Sequence, residues 1–275
     1  MEYIFNKIDY ICEHRELCLR NTMEKIAERT LLLPPITLEE MSGIKLMNRT
    51  DTKFVATLEQ LHSFLLAVRG KYYIQEINGK RIASYHTTYF DTANYHMYGI
   101  HHAGRQVREK IRIRTYLDSD DTFFEIKNKN NHGRTKKKRI SIKEHSIEQE
   151  HENVVPFMAK HAWYAIDEIS PVIENWFSRI TLVNFDKTER LTIDFNLRFH
   201  HLKSDTHNRL QRVAIIELKR DGNVPSPALD ILRQVRIKRS GFSKYCIGSA
   251  LTNNNLKRNN FKERLTMIKK MENKR

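Results

Sequence analysis

Charged and apolar residues alternate with a period of two along three neighbouring segments in the middle of the chain, 108–115, 123–129 and 135–142. Alternate side chains of a β-strand lie on opposite faces, so this period predicts three strands that each have one charged face. The residues that share these faces are Arg108, Lys110, Arg112 and Arg114 in the first strand, Glu125, Lys127 and Lys129 in the second, and Lys137, Arg139 and Ser141 in the third.

Three adjacent cationic faces form a two-dimensional array of positive charge, which repels itself unless something neutralises it. On a flat sheet water would do so, and the array would be a basic outer surface. In a closed barrel the same faces would line a channel whose natural occupant is a polyanion. The three strands alone leave both arrangements open.

The rest of the chain predicts further helices and strands. Residues 1–32 have a helical spacing of apolar positions that ends at Leu33-Pro34-Pro35, and Thr57 is placed to cap a helix that ends at Gly70. Asn78-Gly79 predicts the turn of a hairpin between strands 72–77 and 82–90. The other predicted elements are short helices opening at Thr37 and Asp91, a strand over 48–56, a helix over 144–168 broken near Pro156, strands over 172–185, 189–199 and 212–219, a polar loop over 200–208, helices over 225–235 and 243–251, and a charged tail from residue 252.

The alternation is clearest over 189–199, and about eight strands of this kind, mostly antiparallel neighbours, predict an α+β fold. An open sheet with one wet face fits this pattern, and so does an eight-stranded barrel with a polar interior and helices packed outside. Unpaired buried cations cost on the order of several kcal/mol each, so a barrel interior would need anions. The anions would be a substrate or the carboxylates Asp51, Glu125, Asp194 and Glu217. The apolar side of 189–199 is Leu191, Ile193, Phe195 and Leu197.

Composition favours an anionic partner. The 275 residues carry 48 Lys and Arg against 33 Asp and Glu, a formal net charge of +15, which suits nucleic acid, an anionic membrane surface or a phosphate-rich substrate. Cys12, Cys18 and Cys246 form neither a disulfide framework nor a zinc motif. No apolar run approaches the roughly 20 residues that span a bilayer, and the N-terminus is too charged for a signal peptide. We therefore expect a soluble, cytoplasmic protein.

Several motifs, in order, resemble one known family, the VTC domain, over roughly residues 45–252. They are Arg49-x-Asp-x-Lys53-Phe, YHTTYFDT over 85–92, Tyr95-x-x-Tyr98, Lys110-Ile-Arg112-Ile-Arg114-x-Tyr116, Phe124-Glu-Ile-Lys127, Gly133-Arg, Ile216-Glu217-Leu-Lys219 and Ser243-Lys244-Tyr245-x-x-Gly248. This family is the polyphosphate polymerase domain of vacuolar transporter chaperone proteins and belongs to the triphosphate tunnel metalloenzymes.

The resemblance implies an antiparallel eight-stranded barrel whose tunnel is lined with Lys and Arg. It implies transfer of the γ-phosphate of ATP to polyphosphate, assisted by Mn²⁺ or Mg²⁺, with Glu217 as the metal ligand. The residues that it implies for catalysis are Lys53, Arg112, Arg114, Lys127, Arg179, Arg190 and Lys244. Those that it implies for substrate binding are Arg49, Lys137, Lys219 and Ser243.

Two residues depart from the family pattern: Asp51 stands where Glu is common, and Phe177 where Tyr is usual. We expect an N-terminal helical accessory segment over 1–44, the VTC-like domain over 45–252 and the charged tail over 253–275. The expected ligands are ATP or another triphosphate and polyphosphate, with no specific nucleic acid. The chain lacks the phosphate-sensing domain and membrane helices of full-length eukaryotic members, so a separate membrane protein is a candidate partner.

Two alternatives to a polymerase stay open. The same scaffold would serve an inorganic or nucleoside triphosphatase, and a basic barrel would also bind polyphosphate or nucleic acid without chemistry. Carboxylates among the cations favour an enzyme, because a pure polyanion binder gains nothing from Asp194 and Glu217. We expect the tyrosines at 85, 89, 95 and 98 to serve packing, the histidines at 101, 102, 200, 201 and 207 to lie on the surface, and the basic tail to be a solvated helix.

Overall fold

The computed structural model describes residues 2–42, 49–222 and 224–273, with side chains described from residue 17 onward except at 42 and 49. This part of the chain forms eight α-helices and eleven β-strands. In chain order they are α1 (Glu2–Leu31), β1 (Pro35–Ile36), α2 (Leu38–Ser42), β2 (Arg49–Thr57), α3 (Leu58–Ala67), β3 (Tyr72–Gln75), β4 (Ala83–Thr92), α4 (His96–His102), β5 (Arg108–Tyr116), β6 (Asp121–Lys129), β7 (Thr135–Ile142), α5 (His151–His161), β8 (Ile169–Asn184), β9 (Glu189–His201), β10 (Thr206–Leu210), β11 (Val213–Asp221), α6 (Pro227–Gln234), α7 (Lys244–Thr252) and α8 (Lys262–Glu272).

Eight strands form one antiparallel path in the order β2-β11-β9-β8-β4-β5-β6-β7. The predicted α+β class with eight antiparallel strands is confirmed. The hydrogen-bonded ladder is open, however, because no pairing between the described residues joins β2 to β7. All eight strands still contribute side chains to one cavity, so the sheet curls around it.

Helices cover the outer face of the curled sheet. On one side α3 and α6 pack over β8, β9 and β11, with Leu61, Phe64 and Ile193 fully buried between them. On the other side α5 packs over β5 and β6. Helix α3 begins with a capping box, in which Thr57 and Gln60 each accept the backbone N–H of the other. The apolar residues of β5, β6 and β11 under these helices are thus buried outward, which turns the alternate, charged residues of the three strands inward.

Helix α7 occupies the inner side instead and closes one end of the cavity. Its Tyr245, Cys246 and Ile247 are buried in one cluster with Phe177 and Phe199 of the sheet. Helix α7 approaches the sheet so closely that a Cβ on Gly248 would lie 2.4 Å from the Phe199 ring. Only glycine fits this contact.

We expect Gly248→Ala to destabilise the protein, because the buried Phe199 ring has to move to admit the methyl group. Overpacking of this kind costs about 1–3 kcal/mol of unfolding free energy, which corresponds to a fall of several degrees in Tm. Thermal unfolding followed by circular dichroism measures the change. Gly99→Ala in α4 is the matched control, since no atom lies within 4 Å of a Cβ built there. Equal Tm values for the two variants would contradict the packing described for α7.

The predicted hairpin around Asn78-Gly79 is wrong in its pairing. The turn itself is present, with Ile77 bridged to Lys80. Strand β3, however, pairs with β1 and β8, and β4 lies between β8 and β5. A turn dipeptide fixes the local chain reversal, while the partner of each strand is decided by burial of its apolar face.

Two further predictions near β9 need correction. The strict alternation over 189–199 breaks, because the register with β8 shifts and Asn196 has a φ of 52°. As a result Phe195 packs outward and Leu197 packs inward. Part of the predicted polar loop 200–208 is strand, since β9 continues to His201 and β10 pairs with it. The histidines at 102 and 201 are buried, not on the surface, and His201 lies 2.8 Å from the Tyr95 hydroxyl.

The helix predicted over 144–168 is shorter, covering only α5, and it contains Pro156. Trp163, predicted to lie on its apolar stripe, is 51% exposed. The predicted solvated helix of the C-terminal segment is partly buried, because Phe261 and Ile268 pack against the cluster around α7. The division into an accessory segment, a domain and a tail stays a prediction.

Candidate active site

A cavity of about 810 Å³ lies on the inner face of the curled sheet. Its wall contains eleven cationic and three acidic side chains. The cations are Lys53, Lys110, Arg112, Arg114, Lys127, Lys137, Arg139, Arg179, Arg190, Lys219 and Lys244. The acids are Asp51, Asp194 and Glu217. Such an excess of positive charge in a concave, half-enclosed site attracts anions.

The three cationic strands of the sequence lie side by side, and their residues stand in register. Lys110, Lys127 and Lys137 are direct neighbours across β5, β6 and β7. In the next row Glu125 stands between Arg112 and Arg139. Like charges directly opposite one another destabilise a sheet. The lysine row is therefore an arrangement that an anionic ligand would stabilise.

Buried Glu125 holds two of these cations in place. Its Oε2 lies 2.5 Å from Arg112 Nη2, and its Oε1 contacts Lys137. Burial alone would raise the pKa of Glu125, but Arg112, Arg114 and Lys137 hold this pKa well below its usual value. Lys137 thus lies on the inner face of β7, as predicted, and Lys136 and Lys138 lie on the outer face.

Asp194 has the same role on the opposite wall. It accepts two hydrogen bonds from Arg179, at 2.5 and 2.8 Å, and a third from Lys244 at the start of α7. The ring of Phe177 lies beneath both cations, with Lys244 Nζ 4.1 Å from its centroid, and stacks on Tyr85 at 5.0 Å. Phe177 therefore supports the site by packing, although it lacks the hydroxyl usual at this position.

Glu217 lies between two lysines on β2 and β11. Lys219 contacts one of its oxygens, and Lys53 Nζ is 3.6 Å from the other. Lys53 also donates to the backbone carbonyl of Phe242 at 2.9 Å. Next to this group, Lys110 donates to the hydroxyl of Ser243, the N-cap of α7, at 3.1 Å. The positive end of the α7 dipole is thereby added to the cavity wall.

Mutual repulsion and burial lower the pKa of several cations. The pKa of Lys127 is lowered to about 6, chiefly by Arg112 and then by burial. Burial lowers the pKa of Lys244 to about 7 and that of Lys110 to about 8. Burial, with Arg112 and Arg179 nearby, lowers the pKa of Arg114 to about 10. The cavity thus holds more positive charge than its own carboxylates neutralise.

These pKa values predict proton uptake when a polyphosphate binds. At pH 8 Lys127 is neutral in the free protein, and an adjacent phosphate raises its pKa, so binding takes up protons and weakens as the pH rises. A terminal phosphate with a pKa of about 6 is already ionised at this pH. Titration calorimetry of tripolyphosphate in two buffers of different ionisation enthalpy counts the protons.

We expect Lys127→Met to reduce this uptake, and Lys136→Met, on the exposed outer face of β7, to leave it unchanged. Binding without proton uptake in the unmodified protein would show that the cavity lysines do not meet the phosphates.

Eleven of the twelve predicted site residues line this one cavity: Lys53, Arg112, Arg114, Lys127, Lys137, Arg179, Arg190, Glu217, Lys219, Ser243 and Lys244. Arg49 begins β2, and its side chain lies outside the described residues. Lys110 and Arg139 also line the cavity and were absent from the predicted set, although both belong to the predicted cationic faces. Tyr85 and Tyr89, expected to serve packing, are buried and also form part of the wall.

Glu217, the predicted metal ligand, lies on the wall of the cavity. Within the described residues, the groups of three or more metal-ligating side chains lie elsewhere, so the cavity has no all-protein metal cage. Glu217 nevertheless supplies hard carboxylate oxygens, and Mg²⁺ is commonly held by one or two carboxylates together with substrate phosphates. The donor set fits a divalent ion shared with a phosphate ligand.

The fold and the site define a protein with a curled antiparallel sheet around a cationic cavity. The family description of the VTC domain matches residues 48–253, and the chain belongs to this family. None of the curated proteins compared with this chain matches it. None of the described helices is long and apolar enough to cross a membrane.

This chain is also similar, at low sequence identity, to several solved structures. One is a proposed adenylyl cyclase from Hippeastrum reported to have a dominant triphosphatase activity, with 15% identity and a TM-score of 0.45 over 75% of this chain and 97% of that one. Another is a proposed adenylate cyclase from Vibrio parahaemolyticus, with 11% identity and a TM-score of 0.42 over 74% and 99%. A third is a Pyrococcus horikoshii protein, with 12% identity and a TM-score of 0.43 over 74% and 98%.

Proposed function

We propose that this protein is a metal-dependent polyphosphate polymerase, which transfers the γ-phosphate of ATP to a growing polyphosphate chain inside the cavity. The observation that carries the proposal is the concentration of eleven cations from the sheet and α7 around one cavity. A linear polyanion has a charge on every repeating unit. Successive rows of cations therefore match such a ligand better than they match a single phosphate.

The proposed chemistry depends on positioning and charge stabilisation, which dominate phosphoryl transfer. Arginines bind phosphate oxygens through two parallel hydrogen bonds, and lysines act as point charges. Arg179 and Lys244 are oriented by Asp194, and Arg112 by Glu125, so these donors are fixed before the substrate arrives. In this proposal Lys53, Arg114, Lys127 and Arg190 complete the set that contacts the phosphates.

Glu217 would hold Mn²⁺ or Mg²⁺ together with phosphate oxygens, and a bound divalent ion neutralises charge on the phosphates. Lys53 and Lys219, which contact Glu217, would turn toward the same phosphates when the ion pair opens. The wall thus supplies acceptor and donor groups for both the ion and its phosphate ligand.

The experiment is incubation of the purified protein with ATP and Mn²⁺, followed by separate assays of free phosphate and long-chain polyphosphate. We expect polymer, and we expect it to be absent with Glu217→Ala. Free phosphate without polymer would replace the polymerase by a triphosphatase on the same scaffold. Tight polyphosphate binding with neither product would make the protein a non-catalytic receptor.

A further inference from the structure

A second group of ligating side chains lies on the outer face of the sheet, away from the cavity. His86 of β4 and Glu174 of β8 are on neighbouring strands, and His145 comes from the irregular segment after β7. Their ligating atoms all lie within 4.8 Å of one another. His86 Nε2 is 3.1 Å from Glu174 Oε1. On the inner face of the same two strands, Tyr85 and Tyr89 of β4 and Arg179 of β8 line the cavity, so the two sites are separated by the sheet.

We propose that His86, His145 and Glu174 form a binding site for a transition-metal ion of the zinc class. Two imidazoles and one carboxylate are a donor set that such ions prefer, whereas Mg²⁺ prefers oxygen ligands alone. Tetrahedral zinc with ligands at about 2.0–2.1 Å places the ligand atoms roughly 3.4 Å apart. The separation of His86 Nε2 from Glu174 Oε1, 3.1 Å, is close to this value, and the ligating atom of His145 lies within 4.8 Å of both.

The neighbours of these residues orient them as partners of metal ligands commonly do. His145 Nδ1 is 2.7 Å from the Thr115 hydroxyl, and His145 Nε2 is 2.7 Å from the Thr88 hydroxyl. A proton on Nδ1 leaves the lone pair of Nε2 for a metal ion. On the other side His200 Nδ1 lies 3.3 Å from Glu174 Oε2. Glu174 therefore keeps its Oε1 turned toward His86 and Thr88.

Binding requires one local movement. The rings of His86 and His145 are stacked, with centroids 4.1 Å apart and planes at 13°, while an imidazole binds a metal in its ring plane. His145 lies outside any helix or strand, so its ring is the one that turns out of the stack.

The test uses the metal-free 275-residue protein, without nucleotide or phosphate, titrated with Co²⁺ and Zn²⁺. Tetrahedral Co²⁺ absorption and calorimetry report the site, and a Zn²⁺-dependent rise in Tm reports binding to the folded state. We expect His86→Ala, Glu174→Gln and His145→Ala each to weaken binding at least about tenfold. His145→Ala alters an irregular segment and guards against loss through misfolding of the strands.

Two controls separate this site from others. Glu217→Gln removes the proposed metal ligand of the cavity and is expected to leave Co²⁺ absorption unchanged. His207→Ala removes a ligand from the nearby exposed group His200, Asp205 and His207, and is likewise expected to have no effect. Unchanged affinity in the three site variants would overturn the proposal, and so would loss of binding only with His207→Ala or only with Glu217→Gln.

Discussion

Arg114→Ala is expected to reduce turnover of ATP by about 10³-fold while leaving the fold intact, which is the scale seen when an arginine is removed from a phosphoryl-transfer site. Arg114 is 6% exposed, and its guanidinium forms no ion pair with a carboxylate among the described side chains. It donates to Thr87 at 3.2 Å and lies 5.6 Å from the centroids of the Tyr85 and Phe177 rings. Its charge is therefore available to a phosphate.

The same arrangement predicts an unusual stability profile. Burial and the neighbouring cations Arg112 and Arg179 disfavour the charge on Arg114, so its removal relieves repulsion in the free protein. We expect the Tm of Arg114→Ala to be unchanged or higher, although activity is lost. Arg209→Ala, at an exposed position on β10, is the matched control and should change neither the Tm nor the turnover of ATP. Retained turnover in Arg114→Ala would remove this residue from the proposed site.

Glu217→Gln is expected to reduce metal-dependent turnover at least about 100-fold. The substitution keeps the shape of the side chain and removes the charge that a divalent ion requires. It also frees Lys53 and Lys219 from their carboxylate partner. We therefore expect metal-free binding of tripolyphosphate to be as tight as before or tighter.

Turnover is thus expected to fall while anion binding is retained or strengthened. This combination distinguishes a metal ligand from a residue that only forms a structural ion pair. A structural role predicts that both quantities fall with the Tm. Glu59→Gln, an exposed position on α3, is the control for loss of a negative charge. Steady-state kinetics across a Mn²⁺ titration, with calorimetry in the absence of metal, give the two readouts. Unchanged metal dependence of turnover in Glu217→Gln would contradict the assignment.

Local pattern was enough to predict the strands that build the cavity. The period of two over 108–142 predicted β5, β6 and β7 and the face that each turns inward, because side-chain direction along a strand is set by the backbone alone. The pairing between strands that are distant in sequence was harder to predict. The turn at Asn78-Gly79 suggested a hairpin, yet β3 pairs with β8, more than a hundred residues away.

The sequence predicted which cations belong to the site, but it did not predict which carboxylate each cation contacts. The family resemblance implied that Lys53, Arg114 and Arg179 lie in one site. Glu125 and Asp194 each hold two cations, and these contacts depend on strand registers that only the folded sheet defines. The shift in β9 near Asn196 is similarly invisible in an alternating sequence. The outer group of His86, His145 and Glu174 joins residues from three separate segments with no common motif.

The proposed function requires polyphosphate to bind within the curled sheet. A crystal structure with a non-hydrolysable ATP analogue and Mn²⁺ tests it most directly. We expect phosphate oxygens within hydrogen-bond distance of Arg114, Lys127 and Arg179 on the inner face. Phosphates bound only on the outer face of the sheet or along the basic helix α8, with none inside the cavity, would contradict it.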